Sequence, residues 1–464
     1  MGQDLIISVS GMRGVVGQNL TPTIAAEYGG AFGTFLRTQG GSAKKQCSVC
    51  MGRDSRVSGP MLMSAMAAGL CATGVDVVDL GLVTTPSVGV MVRELGCDGG
   101  VVITASHNPI PYNGIKLLLG NGVAPPSATA AAIKQSFVEK RFNLVDSPAC
   151  GHIAPNVETD RIHIQKVLAL VDAQQIASKK YKVVLDSVNG AGAGITKKLL
   201  HELGCTVVAF NDEPTGLFAH EPEPTAANLG QLCQRVKDEQ ADVGFAQDPD
   251  ADRLALVDEK GTYIGEEYTL AFAARHAFAH RSGTAAANLS TSRMIDDVAE
   301  RAGGRVIRTP VGEANVAQAM LEHQCIIGGE GNGGVIDLRV GPVRDSLVGA
   351  ALVLQLMAEK SQSVSRLREE IGGYYMHKDK FAADAAQAGR IIQMAREEFA
   401  EASLNTADGC RFDFDDGWIH LRTSNTEPVM RMIVEAKDEA AAQRYIGSVL
   451  HIRAAVLEHN SGGK

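Results

Sequence analysis

The sequence predicts an α/β protein: three similar α/β units followed by a smaller α+β unit. Three observations lead there. At 464 residues the chain is too long for one hydrophobic core, and its length suggests about three domains. A strand, a polar loop, a helix, a glycine and a second strand recur in that order three times, which is the mark of repeated structure. Beyond residue 371 the pattern changes to a long helix, a hairpin and a final amphipathic helix.

The first copy of the repeat spans 48–80, with loop G-R-D-S-R at 52–56 and a helix over 61–70. The second spans 181–210, with loop D-S-V-N-G at 186–190 and a helix over 195–203. The third spans 284–307, with loop S-T-S at 290–292 and a helix over 294–302. Short apolar runs closed by Gly and Asn give the strands, and longer periodic segments give the helices. Each copy then adds a helix and a strand. Those strands run into T-A-S-H-N-P at 104–109, D-P-D-A-D-R at 248–253 and G-E-G-N-G-G at 329–334. Open α/β sheets gather their ligand groups beyond the strand ends, so three unusual loops at equivalent places mark the residues that carry chemistry.

The boundaries follow. Residues 146–155 carry two prolines and a glycine and read as a linker, which closes a first unit at 1–155. A turn at Asp258-Glu259-Lys260-Gly261 closes the second, 156–258. The third, 259–371, ends after a helical stretch over 343–370, at Gly372-Gly373. The fourth, 372–464, holds a helix over 385–402, a hairpin across Asp415-Asp416-Gly417 and a helix over 439–458.

Composition excludes several classes of function. A net charge of −9 and a pI near 5.8 give no basic field for nucleic acid, and one Trp and eight Tyr leave little for base stacking. No apolar run reaches membrane length, and the first residues lack the basic and apolar regions of a secretory leader. Nine cysteines are scattered through the chain. Cys47 and Cys50 have C-x-x-C spacing without a second pair to complete a zinc site, so reduced thiols and a cytoplasmic location are expected.

In V-V-I-T-A-S-H-N-P the β-branched run reads as a buried strand, and Asn108-Pro109 is a turn that ends it. Ser106 is thereby offered to solvent at a strand end, a place where an ordinary turn serine is also common. In D-P-D-A-D-R, residues i, i+2 and i+4 of extended chain share a face, so Asp248, Asp250 and Asp252 converge on one hard cation. Carboxylates this close repel unless a cation or full solvation separates them. A calcium loop would need Gly at its sixth position, where Arg253 stands, so Mg²⁺ is the expected ion. In R-T-S-N-T-E-P (422–428), hydroxyls, an amide and successive N–H groups form an anion cradle. Arg422 and Arg431 flank it for bidentate phosphate binding. In G-E-G-N-G-G the glycines permit close approach, and Glu330 and Asn332 suit sugar hydroxyls. Arg13, in S-G-M-R-G, is a phosphate ligand or a surface charge. A strand before Gly190-Ala191-Gly192-Ala193-Gly194, with Asp212 beyond it, imitates a dinucleotide site. There the third glycine falls a position early and Ile195 takes its place.

With these loops in this order along the whole chain, the sequence resembles the α-D-phosphohexomutase superfamily. The resemblance implies mixed sheets and four domains around one central cleft. It makes Ser106 the phosphate-carrying residue and a metal ligand beside Asp248, Asp250 and Asp252, with Pro249 and Ala251 replacing the family's usual glycines. It places Glu330 and Asn332 on the sugar, and Arg422, Ser424, Asn425, Thr426 and Arg431 on phosphate. Asn113-Gly114-Ile115-Lys116 also matches, with Lys116 a candidate for proton transfer; His107, Arg13 and Arg253 complete the implied catalytic set. The implied reaction interconverts hexose 6-phosphate and hexose 1-phosphate, with Mg²⁺ and a hexose 1,6-bisphosphate intermediate. Many members have Glu-x-Ser-Gly-His in the sugar loop. This chain lacks that histidine, and its variant resembles phosphoglucosamine mutases of the archaeal type. Glucosamine phosphate is therefore the expected substrate, with mannose and glucose phosphates the alternatives. A phosphosugar-binding protein without turnover is the remaining one.

Overall fold

The computed structural model describes residues 5–8, 11–38, 46–423 and 429–461. The three repeats fold alike. In the second, strand Lys182–Asp186 lies between the parallel strands Thr206–Phe210 and Val243–Gln247, and Leu254–Asp258 closes the edge antiparallel. In the third, Thr284–Asn288 lies between Arg305–Thr309 and Ile327–Glu330, with Gly334–Ile336 antiparallel at the edge. In the first, Cys47–Arg53 lies between Val75–Leu82 and Gly99–Ile103, and Tyr112–Leu119 runs antiparallel. Val183, Val184 and Leu185 and their counterparts Val49, Cys50 and Met51 are fully buried. That is the burial of strands covered by helices on both faces.

One consequence positions all the chemistry. The loops at 104–109, 248–253 and 331–333 each join the last parallel strand of a unit to the antiparallel strand that follows it. The three lie at one topological place, as the repeat predicts.

The first sheet is larger than its repeat. Ile6–Ser8 and Gly11–Val15 extend it beyond Tyr112–Leu119, and Ile153–Pro155 pairs in parallel with Val75–Leu82, giving seven strands. The stretch read as a linker is therefore part of the first sheet. Pro155 is compatible with this because an edge strand leaves one side of its backbone unpaired, and Pro148 lies in the short helical turn Ser147–Ala149 before it. The fourth unit is an antiparallel sheet of five strands, with helices Ala385–Glu398 and Glu439–Ser461 enclosing an apolar core around Phe381, Ile391, Phe412 and Leu421.

Units two and three share one continuous core, with helices Glu267–His280 and Ser346–Lys360 at its centre. The fourth unit docks on the third through polar groups. Arg293 donates to the carbonyls of Phe414, Asp415 and Gly417, and its N–H reaches Glu435, which also accepts from Trp418 Nε1 at 2.6 Å. Among the described residues, no helix is long and apolar enough to cross a membrane.

Candidate active site

Ser106 is not offered to solvent: it is 4% exposed, at a left-handed φ of 49°. Its N–H donates to Thr104 Oγ1 at 2.8 Å, and Thr104 donates to Asp54 at 2.6 Å. The loop is pinned from below by Arg56, which is 1% exposed. One guanidinium donates to the carbonyls of Ser106 and Asn108 at 2.6 Å, to those of Pro109 and Tyr112 at 3.0 Å, and to Asp54 at 3.1 Å. Both residues come from the polar loop of the first repeat, whose part the sequence left unassigned. No sequence spacing announces an arginine that bonds to carbonyls fifty residues away.

Ser106 Oγ donates to Asp248 Oδ2 at 2.7 Å. The serine of the first unit thus sits on the acidic loop of the second. Asp248, Asp250 and Asp252 are fully buried, and one oxygen from each lies within 4.8 Å of the others. They do not converge along extended chain, as the spacing suggested. The segment turns, with Ala251 at a φ of 55°, where a glycine would fit with less strain. Gly190 and Gly192 lie directly behind this loop. A Cβ on Gly190 would stand 2.7 Å from the Pro249 carbonyl, and one on Gly192 2.8 Å from Ala251 Cβ. That close packing is what the dinucleotide-like glycines serve.

Among the described residues, Oδ1 of Asp250 and of Asp252 are buried without a hydrogen-bond partner. Buried carboxylate oxygens left unmatched are costly, and hard oxygen donors in a converging set suit a divalent cation. The donor set fits a metal. Lys116 Nζ stands 2.7 Å from Asp250 and 3.3 Å from Asp252. Burial disfavours its charge, but the two carboxylates outweigh burial and hold its pKa above the usual lysine value. Burial and the neighbouring carboxylates push Asp248 well above the usual range. Asp250 is held below that range because Lys116 and the bonds from Asp248 and Thr85 overcome burial.

The remaining expected residues surround this centre. His107 Nδ1 is 3.3 Å from Ser106 Oγ. Burial, then Arg253 and Arg13, depress its pKa to about 2, so the ring is neutral. Arg13 donates to Asn108 Oδ1 at 2.7 Å, and Arg253 lies 3.4 Å from Glu223. Glu330 accepts from Asn288 at 2.7 Å, from the Gly312 N–H at 3.1 Å and from Asn332 at 3.3 Å. Arg422 and Arg431 stand opposite each other on neighbouring strands, and Lys380 continues the row on the third strand. Among the described residues, Arg422 Nε is buried without a hydrogen-bond partner. Its pKa is lowered by burial, with Asp408 opposing and Arg431 adding to the effect. Ser424, Asn425 and Thr426 lie outside the described residues.

Arg344 was missed entirely. Its guanidinium donates to Asp252 at 2.6 Å, to Glu330 at 2.6 Å and to Glu313 at 2.7 Å, and it ties the acidic loop to the sugar loop. The sequence placed it inside a helix from 343. The structure starts that helix at Ser346, with Asp345 as its N-cap accepting from the N–H groups of Leu347 and Val348. A D-S pair at a helix start is the signal that would have freed Arg344 from the helix.

A serine hydroxyl held on convergent carboxylates, with a neutral imidazole and several fixed guanidiniums nearby, is an arrangement suited to phosphoryl transfer. Family models for phosphoglucomutase/phosphomannomutase match in succession: alpha/beta/alpha domain I over residues 5–144, domain II over 161–261, domain III over 265–374 and the C-terminal domain over 377–452. The chain belongs to the phosphoglucomutase/phosphomannomutase family, and its activity is that of a phosphohexomutase, an isomerase. It is 38% identical to a phosphoglucomutase/phosphomannomutase of Thermococcus kodakarensis, over 94% of this chain and 95% of that one. It is 36% identical to a probable phosphoglucosamine mutase of Methanopyrus kandleri, over 94% of each. A phosphoglucomutase/phosphomannomutase family protein from Burkholderia thailandensis has the same fold, with a TM-score of 0.85, 27% identity and coverage of 99% of this chain and 98% of that one.

Proposed function

We propose that this enzyme interconverts glucosamine 6-phosphate and glucosamine 1-phosphate, with Ser106 as the residue that carries the phosphoryl group. The observation that carries the reading is the 2.7 Å bond from Ser106 Oγ to Asp248 within the buried carboxylate triad. Phosphorylated Ser106 gives its phosphoryl group to the free hydroxyl of the sugar phosphate. The resulting 1,6-bisphosphate reverses in the cleft, and its other phosphoryl group returns to Ser106. Asp248, Asp250, Asp252 and Ser106 would hold Mg²⁺. When bound, the ion offsets charge on the transferring oxygens.

The protein supplies the rest. Arg56 fixes the serine loop through four carbonyls. We assign the proton balance of each transfer to Lys116, which lies beside Asp250 and Asp252: it gives a proton to the leaving oxygen and takes back the one lost by the attacking hydroxyl. The row of Arg422, Arg431 and Lys380 holds the phosphate that does not react, so its binding energy becomes position. Glucosamine is favoured by the E-G-N-G-G sugar loop and by relatives named as probable phosphoglucosamine mutases. Mannose or glucose phosphate is the second reading, favoured by the Thermococcus relative's name.

The test measures kcat/KM for glucosamine, glucose and mannose 1-phosphates with Mg²⁺, alongside intact mass. The expected result is a preference of tenfold or more for glucosamine, as one charged hydrogen bond would give, about 1.5–3 kcal/mol, and a phosphoryl adduct on Ser106. A wild-type preference for mannose or glucose overturns the substrate. Turnover without any adduct overturns the role of Ser106.

A further inference from the structure

The helices Glu267–His280 and Ser346–Lys360 pack side by side in the shared core, and both end at a second cluster of ligand groups. His276 and His280 are one turn apart and present their rings to the same side, 4.7 Å between centroids. Glu359, from the other helix, meets both: its Oε2 is 3.3 Å from His276 Nδ1 and its Oε1 is 3.0 Å from His280 Nε2. One ligand atom from each of the three lies within 4.8 Å of the others. We propose that His276, His280 and Glu359 form a second metal site, for a borderline transition dication such as Zn²⁺, separate from the aspartate triad.

Four features of the cluster support a cation there. Two imidazoles at i and i+4 with one carboxylate are a donor set that binds zinc and leaves a position open, whereas hard Mg²⁺ prefers oxygen ligands. Two helix C-termini converge on the cluster, and the carbonyl ends of helices favour positive charge. An outer partner is already in place: Gln355 Nε2 donates to Glu359 at 2.9 Å, and its Oε1 accepts from the Asp172 N–H at 2.8 Å. Outer bonds of this kind orient a ligand and strengthen its hold on metal. Finally, a cavity of about 250 Å³ opens beside the cluster, with room for an ion and its water.

The nearby cations do not block it. Arg281 and Arg339 border the cavity but both donate to Asp337, at 3.2 and 2.7 Å. The ring nitrogens that face Glu359 donate their hydrogen bonds to it in this structure; on metal binding those bonds are exchanged for the ion, and each neutral ring carries its proton on the nitrogen turned away from it.

The site has a structural role to play. Both helices begin beside the sugar loop and Arg344. Ser292 donates its N–H to Glu267, a Cβ on Gly331 of the sugar loop would stand 2.0 Å from the Glu267 carboxylate, and Arg344 immediately precedes the other helix's N-cap. Fourteen residues of helix place the metal cluster about 20 Å from that end. A metal at the far end would brace the pair that carries the sugar loop and Arg344, and through Gln355 also the helix Ala173–Lys179 of the second unit.

The experiment uses the full chain, stripped with chelator and then held in excess Mg²⁺, and titrates Zn²⁺ by calorimetry while following the thermal midpoint. Wild type should bind one equivalent and gain several degrees. His280→Asn and Glu359→Gln should each weaken binding by at least about tenfold and lose the thermal gain. His280 is half exposed on its side chain, so its variant keeps the fold, which circular dichroism checks. Co²⁺ in place of Zn²⁺ should give visible bands that the same variants lose. Asp250→Asn should retain the Zn²⁺ equivalent. Equal Zn²⁺ affinity in wild type and both ligand variants, or loss of the equivalent in Asp250→Asn alone, overturns the proposal.

Discussion

Replacing Arg344 by methionine keeps its bulk and removes the guanidinium that joins Asp252, Glu330 and Glu313. The arginine side chain is 10% exposed, and its three contacts are 2.6, 2.7 and 2.6 Å. Breaking a buried ion pair by deleting one partner costs about 3–5 kcal/mol. Three partners sharing one cation do not triple that cost, because each relaxes when the others are released. The expected loss for Arg344→Met is therefore within that range. Arg344→Lys should lie between, since a compact ammonium cannot span three carboxylates as the planar fork does. Freed from Arg344, Asp252 is more available to a cation, so Mg²⁺ should stabilise Arg344→Met more than wild type. Urea unfolding followed by circular dichroism, with and without Mg²⁺, measures both effects. An Arg344→Met protein within about 0.5 kcal/mol of wild type, the range of an ordinary surface change, would show that the three contacts do not act as a hub.

Ser106→Ala should carry no phosphoryl adduct in intact-mass measurement and should lose mutase activity. Because Ser106 is buried on Asp248 rather than exposed, the variant should also lose about 1–3 kcal/mol, and full activity would end its assignment as phosphate carrier. His420 links the fourth unit to the third, meeting Ser290 at 3.0 Å and the Asp408 carbonyl at 2.7 Å, and burial depresses its pKa from 6.5 to about 4. The unfolded chain takes up that proton first as pH falls. His420 therefore contributes fully above pH 6.5 and loses about 3 kcal/mol by pH 4. Trp418 fluorescence across that range should show the loss, and His420→Gln should flatten it; equal slopes would refute the assignment. Glu330→Gln should shrink the preference for glucosamine over glucose 1-phosphate by removing a charge, and an equal drop for both sugars would take Glu330 out of discrimination.

Much of the fold was legible because its repeat is written in local signals. The strand Lys182–Asp186, the glycine of Gly204 and the strand Thr206–Phe210 are apolar runs and a left-handed turn that any sequence reading weights heavily. Where three such units coincide, the odd loops at equivalent strand ends single out Ser106, Asp248, Asp250, Asp252 and Glu330 as candidates by position. The loop conformations were not legible. Ser106 and Ala251 both adopt positive φ without being glycine, held there by local bonds to Thr104 and Asp248 together with tertiary contacts. Nor was the burial of Arg56 and Arg344, since an arginine surrounded by carbonyls and carboxylates from distant segments leaves no periodic trace. The edge strand Ile153–Pro155 was missed because proline marks the ends of elements more often than their edges.

Glu330 shows how far a motif falls short of a mechanism. In sequence it is a lone carboxylate among glycines, free to meet a sugar. In the structure its Oε1 accepts from Asn288 and Gly312, and its Oε2 from Arg344 and Asn332. The charge a substrate meets there is already shared with Arg344, whose other arm holds Asp252. A sugar ammonium that draws on Glu330 must compete with that guanidinium, and whatever it gains loosens the guanidinium's hold on one carboxylate of the triad. Substrate discrimination and the electrostatics of the acidic loop are then parts of one network, with Arg344 as the common member. Metal affinity measured with and without bound sugar phosphate would therefore differ in wild type, and the difference should collapse in Arg344→Met.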